Sequence, residues 1–274
     1  MIHEKVDIRV TGSCEDAHLL TYFIEDSKDY GKRKRPCVLV IPGGAYEHHA
    51  AREGEPVALR FNAMGYNAAV LEYSLAPVHF PVQMMETARA VAFLREHAEK
   101  YHIKKNSIVI AGFSAGGHLA VGYSLLYEKL KLAKSIGDCE EISLRPDALI
   151  AGYPVITSGE YAHEGSFKNL LGDEYEYKKE MLSLENAVSD DAPPAFIWNT
   201  FEDGSVPAMN GLLLAKAYLE AGVPVEYHLF EKGGHGLALA NEFTESWKLK
   251  ENVPETAVWI ELAEMWLKNK IELS

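Results

Sequence analysis

The sequence predicts an α/β fold, with a mostly parallel central sheet of about eight strands and helices on both faces. Three observations carry this expectation. Short apolar runs rich in Val, Ile and aromatic residues recur along the 274 residues, longer segments with apolar residues at three-and-four spacing separate them, and a glycine-flanked serine stands where one such run becomes a helical pattern. With 47% hydrophobic residues and no internal repeat, low-complexity tract or linker, a single domain over 1–274 is expected.

The strand candidates, in order, are "HLLTYFI" (18–24), "CVLVI" (37–41), "NAAVLEY" (67–73), "SIVIAG" (107–112), "DALIAGY" (147–153), "AFIWNT" (195–200) and "VEYHLF" (225–230). Most lack strict alternation, as strands buried on both faces do. Between and after them lie "PVALRFNAMG", "PVQMMETARAVAFLREHAEKY", "AGGHLAVGYSLLYEKL", "PAMNGLLLAKAYLEAG" and "TAVWIELAEMWLKNK", which read as helices, several opening on proline. Parallel neighbours need a crossover, which these helices supply. The first strands are candidates for antiparallel pairing at one edge. Residues 154–190 break the alternation with a polar, acidic, tyrosine-rich stretch, which reads as an insertion over the carboxyl edge of the sheet, where open α/β sheets bind ligands.

Charge and cysteine content narrow the function classes. Asp and Glu total 40 against 27 Lys and Arg, a formal charge of −13 that would repel a phosphate backbone, so no nucleic-acid partner is expected. The one dense basic run, "GKRKRP" at 31–36, reads as a solvated turn before a strand. Cys14, Cys37 and Cys139 are odd in number and far apart, which fits neither a disulfide framework nor a zinc site. A reducing compartment follows. The N-terminal "MIHEKVDIRVTG" carries acids where a signal peptide needs apolar residues, and no segment has the length of a membrane span, so the expectation is a cytoplasmic protein with no membrane partner.

The stretch "IVIAGFSAGGHLA" (108–120) carries the chemistry. In Gly-x-Ser-x-Gly the serine sits on a turn so tight that a Cβ at either flanking glycine would collide with strand or helix. That turn pushes the Ser114 hydroxyl outward and aims the free N–H groups of the next helix at any carbonyl it attacks. A phosphate-binding loop is the weaker alternative, because no Gly-Lys-Ser/Thr follows. A serine hydroxyl needs a base to take its proton, and there are eleven histidines to supply one. His235, in the glycine-rich "FEKGGHGLAL" after the last strand, is best placed. His118 should project away from the turn, and the adjacent His48 and His49 suit packing or solvent better than metal chelation. The base needs an acid to fix its tautomer. Glu202 and Asp203, just after a strand, both have the chemistry, and Asp203 is preferred, with a plain Asp-Gly turn as its bland alternative. Ala115, after the serine, and Gly44 or Ala45, in "CVLVIPGGAYEHHA", are the candidate N–H donors to an oxyanion.

Taken together, "VLVIPGGAYEHHAAREGEPVALRFNAMGYNAAVLEYSLAP", "IVIAGFSAGGHLA", "PPAFIWNTFEDGSVPAMN" and "YHLFEKGGHGLAL" resemble the acetyl-esterase and acetyl-xylan-esterase-like branch of the α/β-hydrolases over residues 36–240. The order serine, acid, histidine is the one that fold uses. The resemblance implies Ser114 as nucleophile, Asp203 as acid and His235 as base, with no metal and no organic cofactor. "PGGAY" takes the place of the His-Gly-Gly-Gly of many relatives, with Pro42 where they have histidine. It also implies a small ester substrate, an acetyl or other short acyl group on a sugar or xylo-oligosaccharide. Tyr46, Tyr161 and Phe167 are the candidate substrate contacts; Tyr161, Phe167, Tyr175 and Tyr177 are rings able to stack on a pyranose, with ordinary packing as the plainer reading of all four. Two alternatives stay open: an amidase, arylformamidase or peptidase with the same three residues, and a catalytically idle scaffold that only binds. Oligomeric state is not legible.

Overall fold

The computed structural model describes residues 1–29, 33–137, 144–246 and 252–271. Its strands are β1 (Lys5–Asp7), β2 (His18–Tyr22), β3 (Arg35–Ile41), β4 (Asn67–Glu72), β5 (Ile103–Phe113), β6 (Ala148–Gly152), β7 (Ala195–Thr200) and β8 (Val225–Phe230). Helices α1 (Glu55–Ala63), α2 (Val82–Glu96), α3 (Ser114–Leu126), α4 (Leu132–Ser135), α5 (Glu164–Leu171), α6 (Tyr175–Lys178), α7 (Met209–Glu220), α8 (Pro254–Ala257) and α9 (Trp259–Lys270) connect and follow them.

One sheet holds all eight strands in the order β1-β2-β4-β3-β5-β6-β7-β8. The β1–β2 and β2–β4 pairs are antiparallel, and every pair from β4 to β8 is parallel. The chain runs from β3 outward to β4 and then crosses to β5 on the other side of β3, so the strand order reverses between β3 and β5. A crevice opens at the carboxyl ends of two strands that diverge in this way, and the loops after β3 and β5 meet there. The register keeps these ends level: Ile41 pairs with Gly112, and Phe113 pairs with Gly152.

The near-continuous apolar strands follow from burial on both faces. Leu39, Ile110, Leu149 and Ile197 point into a core shared with Met84 of α2, Leu119 of α3 and Leu214 of α7. Their neighbours Val38, Val109, Ile150 and Phe196 point the other way, against Phe61 of α1 and Trp259 and Trp266 of α9. Each such side chain, fully buried, contributes roughly 1.5–3 kcal/mol, so two complete faces explain why polar residues are excluded from mid-strand.

Several expected boundaries shift. Strand β1 has no apolar pattern because it is a three-residue, mostly exposed edge. Strand β5 starts at Ile103 rather than 107, because Lys104, Lys105 and Asn106 extend it beyond the buried part of the sheet. Helix α2 stops at Glu96 instead of 101, and the C-terminal helical segment divides at Val258. Residues 154–190 fold into α5, α6 and single 3₁₀ turns. Of the basic run, Lys34 pairs with Glu99, while Gly31 and Lys32 lie outside the described residues, as does Cys139. No helix of the described residues is long and apolar enough to cross a membrane.

Candidate active site

The junction of β5 and α3 is as tight as the glycines require. Ser114 has φ 52, a left-handed conformation that costs a non-glycine residue about 1–3 kcal/mol and persists only when its surroundings enforce it. Here the enforcement is close packing of α3 on the sheet. A Cβ on Gly116 would stand 2.2 Å from the Ile41 carbonyl oxygen and 2.4 Å from that of Pro42. Only glycine lets the helix start this near β3. Ser114 itself is 7% exposed, so its hydroxyl reaches the crevice but little bulk solvent.

Loops after β7 and β8 bring the other two side chains to it. His235 Nε2 lies 2.7 Å from Ser114 Oγ, and His235 Nδ1 lies 2.7 Å from Asp203 Oδ2. Because a carboxylate only accepts, Nδ1 carries the proton and Nε2 accepts from the serine hydroxyl. Asp203 is fixed in turn by the N–H groups of Ser205 and Val206, which both donate to Oδ1 at 2.9 Å. Its side chain is fully buried. Glu202, the other acid weighed from sequence, turns away to Lys232 (2.7 Å) and accepts from the Gly233 N–H; the lysine contact holds its pKa below the ordinary value. The His235 loop is pinned from behind, where Trp259 Nε1–H donates to the Ala238 carbonyl at 2.9 Å and Trp259 stacks on Trp198.

The loop after β3 faces this group. A Cβ on Gly43 would stand 2.8 Å from Ser114 Cβ, so the two turns are in contact. Gly44, Ala45 and Tyr46 have φ of 116°, 56° and 60°. At Gly44 a Cβ would lie 1.9 Å from the His48 carbonyl oxygen, which makes glycine obligatory. The Gly43 N–H is engaged by Glu53 Oε2 at 2.7 Å, whereas the N–H groups of Gly44 and Ala45 donate to no group among the described residues. Ala115 lies in the first turn of α3, where N–H groups lack intrahelical acceptors. The site therefore offers a hydroxyl hydrogen-bonded to an imidazole, with unengaged amide groups in the adjoining β3 loop and helix start, a set of groups that acyl transfer can use.

The candidate substrate contacts fare differently. Tyr46 and Phe167 are each 1% exposed, so neither ring meets the crevice. Both pack edge-on against His118, and the Tyr46 hydroxyl donates to His118 Nδ1 at 2.9 Å. Packing claims them, Tyr46 also meeting Tyr73. Tyr161 is half-buried, with its carbonyl accepting from Asn210; Tyr175 carries Lys168 and Lys179 over its ring; Tyr177 is 89% exposed. His49 packs on Tyr73 and pairs with Glu72, while His48 is exposed.

Three residues that sequence reasoning missed adjoin the site. Asn169 of α5 donates from Nδ2 to the Ala45 carbonyl at 2.8 Å, tying the 154–190 segment to the β3 loop. His163 caps the start of α5, its Nδ1 accepting from the Ser166 N–H at 3.3 Å, and its pKa is lowered by burial and then by the charge of His235. Glu53 is a carboxyl only 2% exposed, contacting the β3 loop and Tyr153. Nothing in the local pattern marks it, since "AAREGEP" reads as a polar loop. Among the described residues no group of three His, Cys, Asp or Glu side chains is arranged to hold a metal ion.

Comparison with known proteins gives the chain's family and its fold relatives. The BD-FAE family model matches residues 26–218. Endo-1,4-beta-xylanase B of Butyrivibrio fibrisolvens is 41% identical over 221 residues, which are 78% of this chain and 34% of that protein. An acetylxylan esterase of Xylanibacter ruminicola is 29% identical over 239 residues, 81% of this chain and 47% of that protein. The chain thus spans about a third to a half of the length of these relatives. Among solved structures, an acetyl ester-xyloside bifunctional hydrolase from Caldicellulosiruptor lactoaceticus superposes with a TM-score of 0.78 at 36% identity, covering 92% of this chain and 88% of that one.

Proposed function

Because the chain belongs to the BD-FAE family, within the α/β-hydrolase superfamily, we propose that it is a serine carboxylic-ester hydrolase that removes short acyl groups, acetyl foremost, from sugars or xylo-oligosaccharides. The observation that carries the chemistry is the continuous hydrogen-bonded path from Ser114 Oγ through His235 to Asp203, 2.7 Å at each step. The sugar preference rests on the relatives, one an acetylxylan esterase and one an acetyl ester-xyloside hydrolase.

In this mechanism Ser114 Oγ attacks the ester carbonyl carbon while its proton passes to His235 Nε2. The oxyanion is received by the Ala115 N–H and by that of Gly44 or Ala45. Asp203 keeps Nδ1 protonated and stabilises the imidazolium. His235 then protonates the departing alcohol, leaving an acyl-serine, and water repeats the sequence to release the acid and regenerate the hydroxyl. Glycosidic cleavage would instead need two carboxyl groups flanking the scissile bond. The carboxyls of Asp203 and Glu53, which hydrogen-bond to His235 and the β3 loop, are buried, which favours the ester over the glycoside.

A panel of acetyl, butyryl and octanoyl esters on aryl and xylo-oligosaccharide alcohols, run beside N-formyl-kynurenine and aminoacyl anilides, tests the reading. Highest kcat/KM on acetylated xylo-oligosaccharides is expected. Turnover of these no faster than aryl acetates would remove the sugar preference, and faster turnover of the amides would replace the ester reading with an amidase.

A further inference from the structure

Glu53 is a buried carboxyl that the proposed mechanism does not use. It stands between the two loops whose spacing the mechanism needs. One oxygen, Oε2, accepts from the Gly43 N–H at 2.7 Å, in the loop that continues into Gly44 and Ala45. The other, Oε1, accepts from the Tyr153 hydroxyl at 2.9 Å. Tyr153 follows β6 with φ 35, is 1% exposed, and its hydroxyl oxygen accepts from the Ala238 N–H at 2.9 Å, three residues beyond His235. Its ring also meets the His235 imidazole edge-on, with centroids 5.1 Å apart.

The direction of each bond fixes the chemistry required. The Gly43 amide can only donate. The Tyr153 oxygen already accepts from Ala238, so its own proton goes to Glu53. Both oxygens of residue 53 must therefore accept, and an ionised carboxylate is the side chain that does so. Burial pushes the Glu53 pKa up, opposed by the Gly43 N–H, the charge of His235, the Tyr153 hydroxyl and Arg52. Burial and the Glu53 charge together keep the Tyr153 hydroxyl protonated.

We infer that Glu53 is a positioning residue for the proposed acyl transfer: through Gly43 and Tyr153 it sets the oxyanion loop and the His235 loop at a fixed separation across Ser114. It also puts a second negative charge near the imidazole, in addition to that of Asp203, where positive charge forms during attack. This inference rests on the ester-hydrolase reading of Ser114 and His235.

Steady-state hydrolysis of p-nitrophenyl acetate by wild type, S114A, E53Q, Y153F and the E53Q/Y153F double variant tests it. Glutamine has one accepting oxygen, so E53Q strands either the Gly43 or the Tyr153 proton. We expect kcat to fall about 10- to 100-fold in E53Q and about 3- to 10-fold in Y153F, with KM within about threefold of wild type in both. The double variant should lose no more than E53Q alone, because both act through one network. Wild-type kcat in a folded E53Q, a loss confined to KM, or losses that multiply in the double variant would overturn the inference. Should E53Q not fold, Y153F decides by the same kcat and KM criterion. S114A separates the two levels: if it keeps wild-type turnover the ester-hydrolase reading itself has failed, whereas an inactive S114A beside a fully active Y153F overturns the role of Glu53 alone.

Discussion

Two histidines near Ser114 have both ring nitrogens engaged, and they differ in what engages them. His118, one turn into α3, accepts from the Tyr46 hydroxyl at Nδ1 and donates from Nε2 to the Leu182 carbonyl at 3.0 Å. Both partners are neutral, the ring is 1% exposed, and burial lowers its pKa to about 4. A second proton, at Nδ1, would meet only the neutral Tyr46 hydroxyl and no counter-charge. His235 has a buried carboxylate at Nδ1 and a hydroxyl at Nε2, so in the proposed mechanism a proton taken from the serine would have a counter-charge waiting. Burial, hydrogen-bond count and closeness to the serine do not make an imidazole a base. In the proposed mechanism the charge of the partner does.

The comparison can be broken in four places, in order of expected effect. Replacing each ring by glutamine should separate them most: H235Q loses at least about 10³ in kcat for aryl acetate hydrolysis, as removal of a base that acts as part of a unit does, whereas H118Q stays within about tenfold of wild type. Equal losses would mean that His118 also serves the reaction. Neutralising the carboxylate comes next. D203N keeps the geometry but takes away the counter-charge and the tautomer, and should lower kcat about 10²- to 10⁴-fold; stopped-flow acylation rates measure it, and a loss under tenfold would remove Asp203 from the unit.

Stability is where His118 should matter. H118L leaves the Tyr46 hydroxyl and the Leu182 carbonyl buried without partners, at about 1–3 kcal/mol for each group, readable by urea denaturation at pH 7.5. The last effect is a pH slope. A histidine whose pKa is lowered on folding binds fewer protons folded than unfolded, so it lowers stability as pH falls from the unfolded value near 6.5 toward 4. Full stability is present above that window. Wild type should lose about 1.4 kcal/mol per pH unit there beyond what H118L loses. Parallel curves for the two proteins would show that the His118 ring is not held neutral.

Much of this arrangement is legible in the sequence because strand ends are. Ser114 announces itself by glycines that only close packing demands, and His235 by a glycine-rich loop after the last strand. Asp203 is one of two adjacent acids, and what separates it from Glu202 is the direction in which the loop turns each side chain, which no pattern encodes. Tyr46 and Phe167 look like ring platforms in sequence. They are core residues because Tyr46 packs on Tyr73 and His118 and Phe167 packs on His118, tertiary contacts without local signal. Glu53 is invisible for the same reason: a carboxyl in a polar loop reads as solvated until the β3 and β8 loops close over it. Strand β1 and the first residues of β5 escaped notice because exposed backbone pairing needs no apolar side chain.

The claim on which the account rests is that Ser114, His235 and Asp203 act as one unit on an acyl carbon. Fluorophosphonate labelling, with the modified peptide identified by mass spectrometry in wild type, D203N and S114A, tests it most directly. The adduct should fall on Ser114 in wild type, form at least about tenfold more slowly in D203N and be absent from S114A. An adduct on another residue, or ester hydrolysis that persists while Ser114 remains unmodified, would contradict it.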